Sequence, residues 1–457
     1  MDSSAIDFVA STRRRDIPDA VAVQVRRCLL DLVGVAAAGS ATELSRIARG
    51  HARSQFAAGE VGASLFFDGR SVSPAGAALA NAMTIDAFDA HDGHPLTKGH
   101  AGCGLFPAIA AVAEAEGGVT GAEFLTLIAL GYEIAIRAGI ALHRTAADYH
   151  TSGAWVAVAA AALCGRVLGL GRTRMREAMG IAEYHGPRSQ MMRCIDHPTM
   201  VKDGSGWGAM AGVSAAYLAR DGFTGAPALT AEAEEVADIW DDLGSRWRIL
   251  ECYFKPYPVC RWAQPAIEAG LQALAATNAA GERITGITVH TFHEASRLAK
   301  ARPATTEEAQ YSLAFSIAAA LVKGDVGPAE ISGPALRDPE ILRLSEAVRL
   351  VEDPAFNARF PAERWARIEL HMEDGSIVRS GPASARGDAD TPLSDGEIAE
   401  KFHALMAVSG LGERVGAVED LVANLDEAAS VTPLLEAISR PPEASEPRLV
   451  PNLRETA

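Results

Sequence analysis

The strongest constraint on the fold is a series of alanine-rich segments, apolar on most of their helical circumference, that fills the first half of the chain. Residues 20–38, 74–90, 107–116, 121–142, 152–168, 173–184 and 206–220 each carry helical spacing. A helix that is apolar all round has no solvent face, so it must be buried among other helices. Small side chains such as Ala157, Ala159, Ala160, Ala161 and Ala162 let neighbouring backbones approach closely. The most apolar stretch, 153–165, is too short to span a bilayer and ends at Arg166. It reads as a buried helix. Residues 1–18 show no apolar core of signal-peptide type. The expectation is a cytoplasmic protein with no membrane partner.

The chain has 457 residues, beyond one ordinary core, and its texture changes after a helix that begins near Trp262. Residues 284–292 alternate as a strand should, and 367–372 and 377–379 flank the hairpin signal Asp374-Gly375. Between them, 311–323 has helical character. Ser394 and Glu397 then form a capping-box pattern that opens another helix, 397–408. The tail, 441–457, is rich in Pro and Glu and is expected to be loosely attached. The predicted architecture is mainly α: a large all-helical domain (1–265, completed by 395–457) with a smaller inserted α+β lid domain (266–394).

A net charge of −16 disfavours nucleic acid and anionic membranes, which need clustered positive charge, but not a small anionic substrate. Six scattered cysteines without a C-x-x-C pair argue against a disulfide framework and against zinc or iron–sulfur centres. No G-x-G-x-x-G follows a strand, and there is no P-loop or G-x-S-x-G, so nucleotide cofactors and serine hydrolysis lose support.

Chemistry concentrates in four stretches at helix ends. In 86–103, Asp89, His91, Asp92, His94, Lys98 and His100 crowd between two buried-type helices. The run suits a polar surface loop, a set of Asp and His metal ligands, or a reactive site. No familiar ligand spacing is present, so no metal is expected. In 149–153, Tyr149 and His150 precede Thr151 and Ser152, either of which can cap the next helix and leave an anion site at its start. Alone, His150 reads equally as a merely hydrogen-bonded histidine. In 186–208, Arg188, Arg193, His197 and Lys202 precede a glycine-rich helix opening; lysine there can clamp a carboxylate or act as a base. In 254–262, two prolines stiffen a segment bearing Lys255 and Arg261, which suits a hinge as well as a binding role. Together these residues describe an anion pocket with proton-transfer groups.

Several uncommon strings occur in order along the chain: Asp31-Leu32-Val33-Gly34, Gly131-Tyr132-Glu133, His150-Thr151-Ser152-Gly153, Met200-Val201-Lys202-Asp203-Gly204, Tyr253-Phe254-Lys255-Pro256-Tyr257-Pro258 and Tyr311-Ser312-Leu313. On them the chain resembles the MmgE/PrpD family, which includes 2-methylcitrate dehydratase, cis-aconitate decarboxylase and iminodisuccinate epimerase. The resemblance implies a helical domain with an α+β lid, a homodimer, and an active site between the domains that needs no metal or organic cofactor. By position, Asp89, His100, His150, Lys202 and Lys255 match the family's active-site residues. Asp92 and His94 are neighbours in the same motif. Three departures stand out. The usual His-Pro pair is here His100-Ala101, His91 replaces a second acidic residue, and Phe315 stands where the decarboxylase branch has tyrosine, with Tyr311 close by.

The shared chemistry implied is removal of a proton from carbon next to a carboxylate. His100, His150, Lys202 and Asp89 are the expected catalytic set, and Lys255, Asp92, His94, Arg193 and Tyr149 the expected substrate contacts. A hydro-lyase on a methylcitrate- or aconitate-like acid is the favoured expectation. An epimerase on an iminodisuccinate-like acid and a non-catalytic carboxylate-binding protein are the alternatives.

Overall fold

The computed structural model describes residues 4–276 and 284–442, and these are mainly helical. They fall into two compact units: 4–191, 202–252 and 394–442 in the first, and 192–201, 253–276 and 284–393 in the second. The second unit starts at Tyr253, ahead of the change of texture placed at 266 by the sequence, and it takes in residues 192–201. Most of the tail at 441–457 lies outside the described residues.

The first unit contains α1 (Asp19–Ser40), α2 (Pro74–Asp86), α3 (Ala101–Glu116), α4 (Gly121–Thr145), α5 (Gly153–Val167), α6 (Arg172–His185) and α7 (Ser205–Arg220). Two boundaries differ from expectation by four residues or more. Helix α2 stops at Asp86 rather than at 90, and α3 starts at Ala101 rather than at 107, with Pro107 inside it. Close packing explains the early start of α3. A Cβ at Gly102 would lie 2.1 Å from the Tyr132 hydroxyl on α4, and one at Gly104 would lie 2.6 Å from Val156 on α5. Those approaches hold the first turn of α3 against its neighbours, and tertiary contact overrides the proline signal.

Helices α5 and α7 meet along a seam of small residues. A Cβ at Gly208 would sit 2.3 Å from the Gly153 carbonyl oxygen, and one at Gly212 would sit 2.5 Å from Ala160. Ala157, Ala161, Ala178, Ile181, Ala182, Ala215 and Ala219 extend the seam to α6 as one buried cluster. Short side chains contribute little area each, so close backbone packing and its dispersion energy carry the stability here. Among the described residues, α4 is the one helix long and apolar enough to cross a membrane, yet 94 % of its apolar window is buried in the protein.

The second unit holds α8 (Gln264–Ala275), α9 (Leu313–Lys323) and a mixed sheet of β1 (Ile284–Thr291), β2 (Val348–Glu352), β3 (Trp365–Met372), β4 (Ile377–Arg379) and β5 (Ala383–Ser384). The order is β2-β1-β3-β4, parallel between β1 and β2 and antiparallel elsewhere, with β5 also pairing β3. Alternation sets the register: Ile287 faces Leu370 and Val289 faces Ile368, all four buried, and α8 packs against β3. The Asp374-Gly375 turn closes the β3–β4 hairpin, with Gly375 at φ 81°.

The chain then returns to the first unit as α10 (Asp395–Val408), opened by the Ser394–Glu397 capping box. From α10, Lys401 reaches Asp31 on α1 at 2.5 Å and the Ala90 carbonyl at 2.6 Å.

Candidate active site

The polar run between α2 and α3 is interior, not a surface loop. Asp89, His91, Asp92, His94 and His100 are all buried, with none more than 7 % exposed. Burying so many ionisable groups is tolerable only when they pair. The loop folds back on itself: the His94 N–H donates to the Gly99 carbonyl (2.9 Å) and the Lys98 N–H to the His94 carbonyl (3.0 Å). Lys98 takes a left-handed φ of 53° to close this turn. Gly99 lies so close to α5 that a Cβ would come within 2.6 Å of the Ser152 hydroxyl.

His100 is the N-cap residue of α3, and its N–H donates to the Ser152 Oγ at 2.9 Å. Ser152 donates in turn to Asp203 Oδ2 at 3.0 Å, and His100 Nε2 lies 3.5 Å from that same oxygen. His100 Nδ1 sits 2.6 Å from the Asp92 carbonyl. A carbonyl only accepts, so Nδ1 carries the hydrogen and Nε2 is the nitrogen that takes up and releases a proton. The His100 ring stacks on His91 with centroids 4.2 Å apart and planes 14° apart. His91 presents Nε2 to Asp86 (3.5 Å) and Nδ1 to Asp89 (3.8 Å). Burial pushes the Asp86 carboxyl up to about 6, against the pull of Lys202 and with a further push from Asp89. Lys202 is itself buried, at a left-handed φ of 46°.

This geometry corrects one expectation. Ser152 does not cap α5 with its side chain; its backbone is helical and its hydroxyl is turned to His100 and Asp203. The Gly153 N–H is taken by the Asp203 carbonyl at 3.1 Å. The first turn of α5 therefore tethers the 202–204 segment.

The remaining expected site residues divide by location. Asp92 accepts from the Tyr132 hydroxyl at 2.8 Å, and burial raises Tyr132 well above its ordinary value, so the phenol stays a donor. His94 pairs with Glu251 at 3.3 Å. Burial pushes the Glu251 carboxyl up, but hydrogen bonds from His94 and Arg246 outweigh it and bring it to about 2. Tyr149 lies under the Lys98 ammonium, 3.9 Å from the ring centroid. His150 is half-buried, and its hydrogen bonds run to the Asp148 carbonyl (2.9 Å) and to His143, not to the Asp/His cluster. Arg193 and Lys255 belong to the second unit, the first exposed and the second buried. Lys255 sits in a fastened segment: Phe254 N–H bonds the Gly387 carbonyl at 3.0 Å, and Arg261 pairs with Asp388 at 2.7 Å.

Asp86, Asp203 and Tyr132 were not among the expected site residues. The available signals were the carboxylates adjoining two expected residues, Asp203 beside Lys202 and Asp86 at the head of the polar run. Tyr132→Phe removes the donor to a buried carboxylate. It is expected to cost about 1.5–3 kcal/mol, read as a lower midpoint of chemical denaturation.

Residues 4–242 match the MmgE/PrpD N-terminal domain and residues 257–427 the MmgE/PrpD C-terminal domain. The chain belongs to the MmgE/PrpD family. Among its curated relatives is the cis-aconitate decarboxylase-like protein oryM of Aspergillus oryzae, 26 % identical over 95 % of this chain and 96 % of that one. The cis-aconitate decarboxylase of Aspergillus terreus is 26 % identical over 82 % of this chain and 83 % of its own. The human cis-aconitate decarboxylase is 24 % identical over 94 % and 93 % respectively. These relatives, together with the family match over both domains, support an enzyme.

Proposed function

We propose that this protein is an aconitate-type lyase that transfers a proton at the carbon next to a carboxylate of a small tricarboxylate. The observation that carries the reading is the buried His100, with Nδ1 locked on a carbonyl and Nε2 directed toward Asp203. A base fixed in one tautomer loses no time or energy to reorientation. Asp203 steadies the imidazolium that forms, and Ser152 holds Asp203 in place. Lys202 supplies the positive charge that an aci-carboxylate intermediate requires. Lys255 stays assigned to a second substrate carboxylate by the family resemblance.

Two lyase reactions share this machinery. In decarboxylation of an aconitate, the bond to the departing CO2 breaks and its electrons shift through the double bond. They arrive at carbon beside a carboxylate, where a proton completes the reaction. In dehydration, the proton leaves that carbon first and the hydroxyl departs from its neighbour. The named relatives favour the first route over the hydration chemistry expected from the sequence. A cytoplasmic homodimer belongs to the same reading, supported by the family resemblance and by six buried free cysteines that suit a reducing compartment.

Proton NMR in deuterated water with cis-aconitate and 2-methylcitrate tests the proposal. Loss of CO2 or of hydroxyl supports it. Deuterium wash-in without net reaction replaces it with an epimerase, and silence on every acid overturns it in favour of carboxylate binding. Lys202 has its own test. Arginine there is expected to keep measurable activity because the charge remains, whereas alanine lowers kcat/KM by about 100-fold or more. Equal losses in both variants identify Lys202 as a base instead.

A further inference from the structure

We infer that Asp86, His91 and Cys103 form a binding site for one thiophilic divalent cation, of the Zn2+ or Cd2+ class, lying against the proton-transfer groups. Asp86 ends α2, His91 lies in the loop that follows, and Cys103 is on the first turn of α3. The fold brings one donor atom from each to within 4.8 Å of the others, and all three residues are buried. A tetrahedral ion with bonds of about 2.0 Å to N and O and about 2.3 Å to S needs donors roughly 3.3–3.6 Å apart. The Asp86 Oδ1–His91 Nε2 edge, at 3.5 Å, already has that length. Cys103 Sγ, which donates to the Ala82 carbonyl at 3.6 Å, lies no more than 4.8 Å from the other two donors and has at most about 1.5 Å to close.

The surroundings support this donor set. Asp89 faces His91 Nδ1 at 3.8 Å, on the ring edge opposite the ion, in the carboxylate–histidine–metal order that orients an imidazole ligand. Asp89, His91 and His100 also bring donors within 4.8 Å of one another. That set is less suitable, because the two rings stack nearly parallel and their in-plane lone pairs run side by side rather than converging. Thiolate, imidazole and carboxylate together select Zn2+, Cd2+ or Co2+ over Mg2+ or Ca2+. Binding forms a metal–sulfur bond and expels the thiol proton to solvent, so affinity rises with pH. An ion there engages the Asp86 carboxylate that faces Lys202 and fixes the His91 ring on which His100 stacks, so the ion inhibits. The inhibition rests on the proposed function; the binding does not.

Titration with Co2+ reads the site without turnover. One equivalent is expected, with a thiolate-to-cobalt charge-transfer band in the near ultraviolet. Cys103→Ser, and Cys103→Ala as a check on packing, should lose the band and weaken binding by about 100-fold or more. Absence of the band in the wild type, or its persistence in both variants, overturns the site. In the second arm, Cd2+ should suppress turnover of the wild type and spare the Cys103 variants, whose metal-free activity is expected to be unchanged. Equal inhibition of all three proteins overturns the inhibitory role. A band without any turnover of the candidate acids leaves the metal site standing and removes the lyase reading.

Discussion

His100→Asn is expected to lower kcat by about 100-fold or more with little change in KM, because in the proposed mechanism it removes the group that exchanges the substrate proton. Asparagine keeps a donor for the Asp92 carbonyl, now at 2.6 Å from Nδ1, but has no titratable nitrogen at the Nε2 position. The loop thus retains its anchor while the chemistry is lost. Steady-state kinetics beside a denaturation curve separate the two: a normal midpoint with a depressed kcat is the expected pattern. His150→Ala is expected to cost less, since the His150 ring bonds to the Asp148 carbonyl. A wild-type kcat in His100→Asn removes the proposed mechanism, and equal losses at both positions bring His150 into the proton transfer.

The second large effect concerns stability. Gly208→Ala places a methyl group 2.3 Å from the Gly153 carbonyl oxygen and 2.7 Å from its Cα, both backbone atoms that cannot rotate aside. Alanine gains roughly 1 kcal/mol in helix propensity, but forced separation of α5 from α7 costs more, for an expected net loss of about 2–3 kcal/mol. Gly153 follows Ser152 directly, so the shift also moves the hydroxyl that joins His100 to Asp203. Activity should fall further than stability alone accounts for. Gly50→Ala is the contrasting variant. Gly50 lies within the helix Glu43–Gln55 with nothing within 4 Å of a new Cβ, and it is expected to stabilise by about 0.5–1 kcal/mol. Comparing the three denaturation midpoints checks the argument. An unperturbed Gly208→Ala protein contradicts it.

The helices of the first half were legible because their apolar residues leave no solvent face, and α5, α6 and α7 match the sequence reading to within a residue or two at each end. The β3–β4 hairpin and the capping box of α10 were legible from their turn and cap residues. The start of α3 was not, because Pro107 is a local signal and the contacts of Gly102 and Gly104 are not local. The same division holds at the site. His100, Lys202 and Asp89 could be named from motif resemblance, but the run from Asp86 to Cys103 could not be placed inside or outside by composition alone. What puts it inside is pairing with residues far along the chain: Tyr132 for Asp92, Glu251 for His94, and Ser152 and Asp203 for His100. Tyr132 sits in a largely apolar helix, where an aromatic residue reads as ordinary core. Its hydroxyl has meaning only once Asp92 lies beside it.

The reach of Lys401 to Asp31 and to the Ala90 carbonyl bears on the order in which a growing polypeptide can become active. Ala90 lies between Asp89 and His91, so the loop that carries both is fastened from behind by a side chain contributed after residue 400. A ribosome extrudes the amino-terminal helices first, and they can begin to pack as they emerge. Yet the lysine that neutralises Asp31 and holds the loop emerges only after the 400 residues before it. A fragment ending before α10 can therefore assemble most of the helical core and still lack a fixed reaction centre. Catalytic competence becomes a late event in biosynthesis, reached after the second unit has been made.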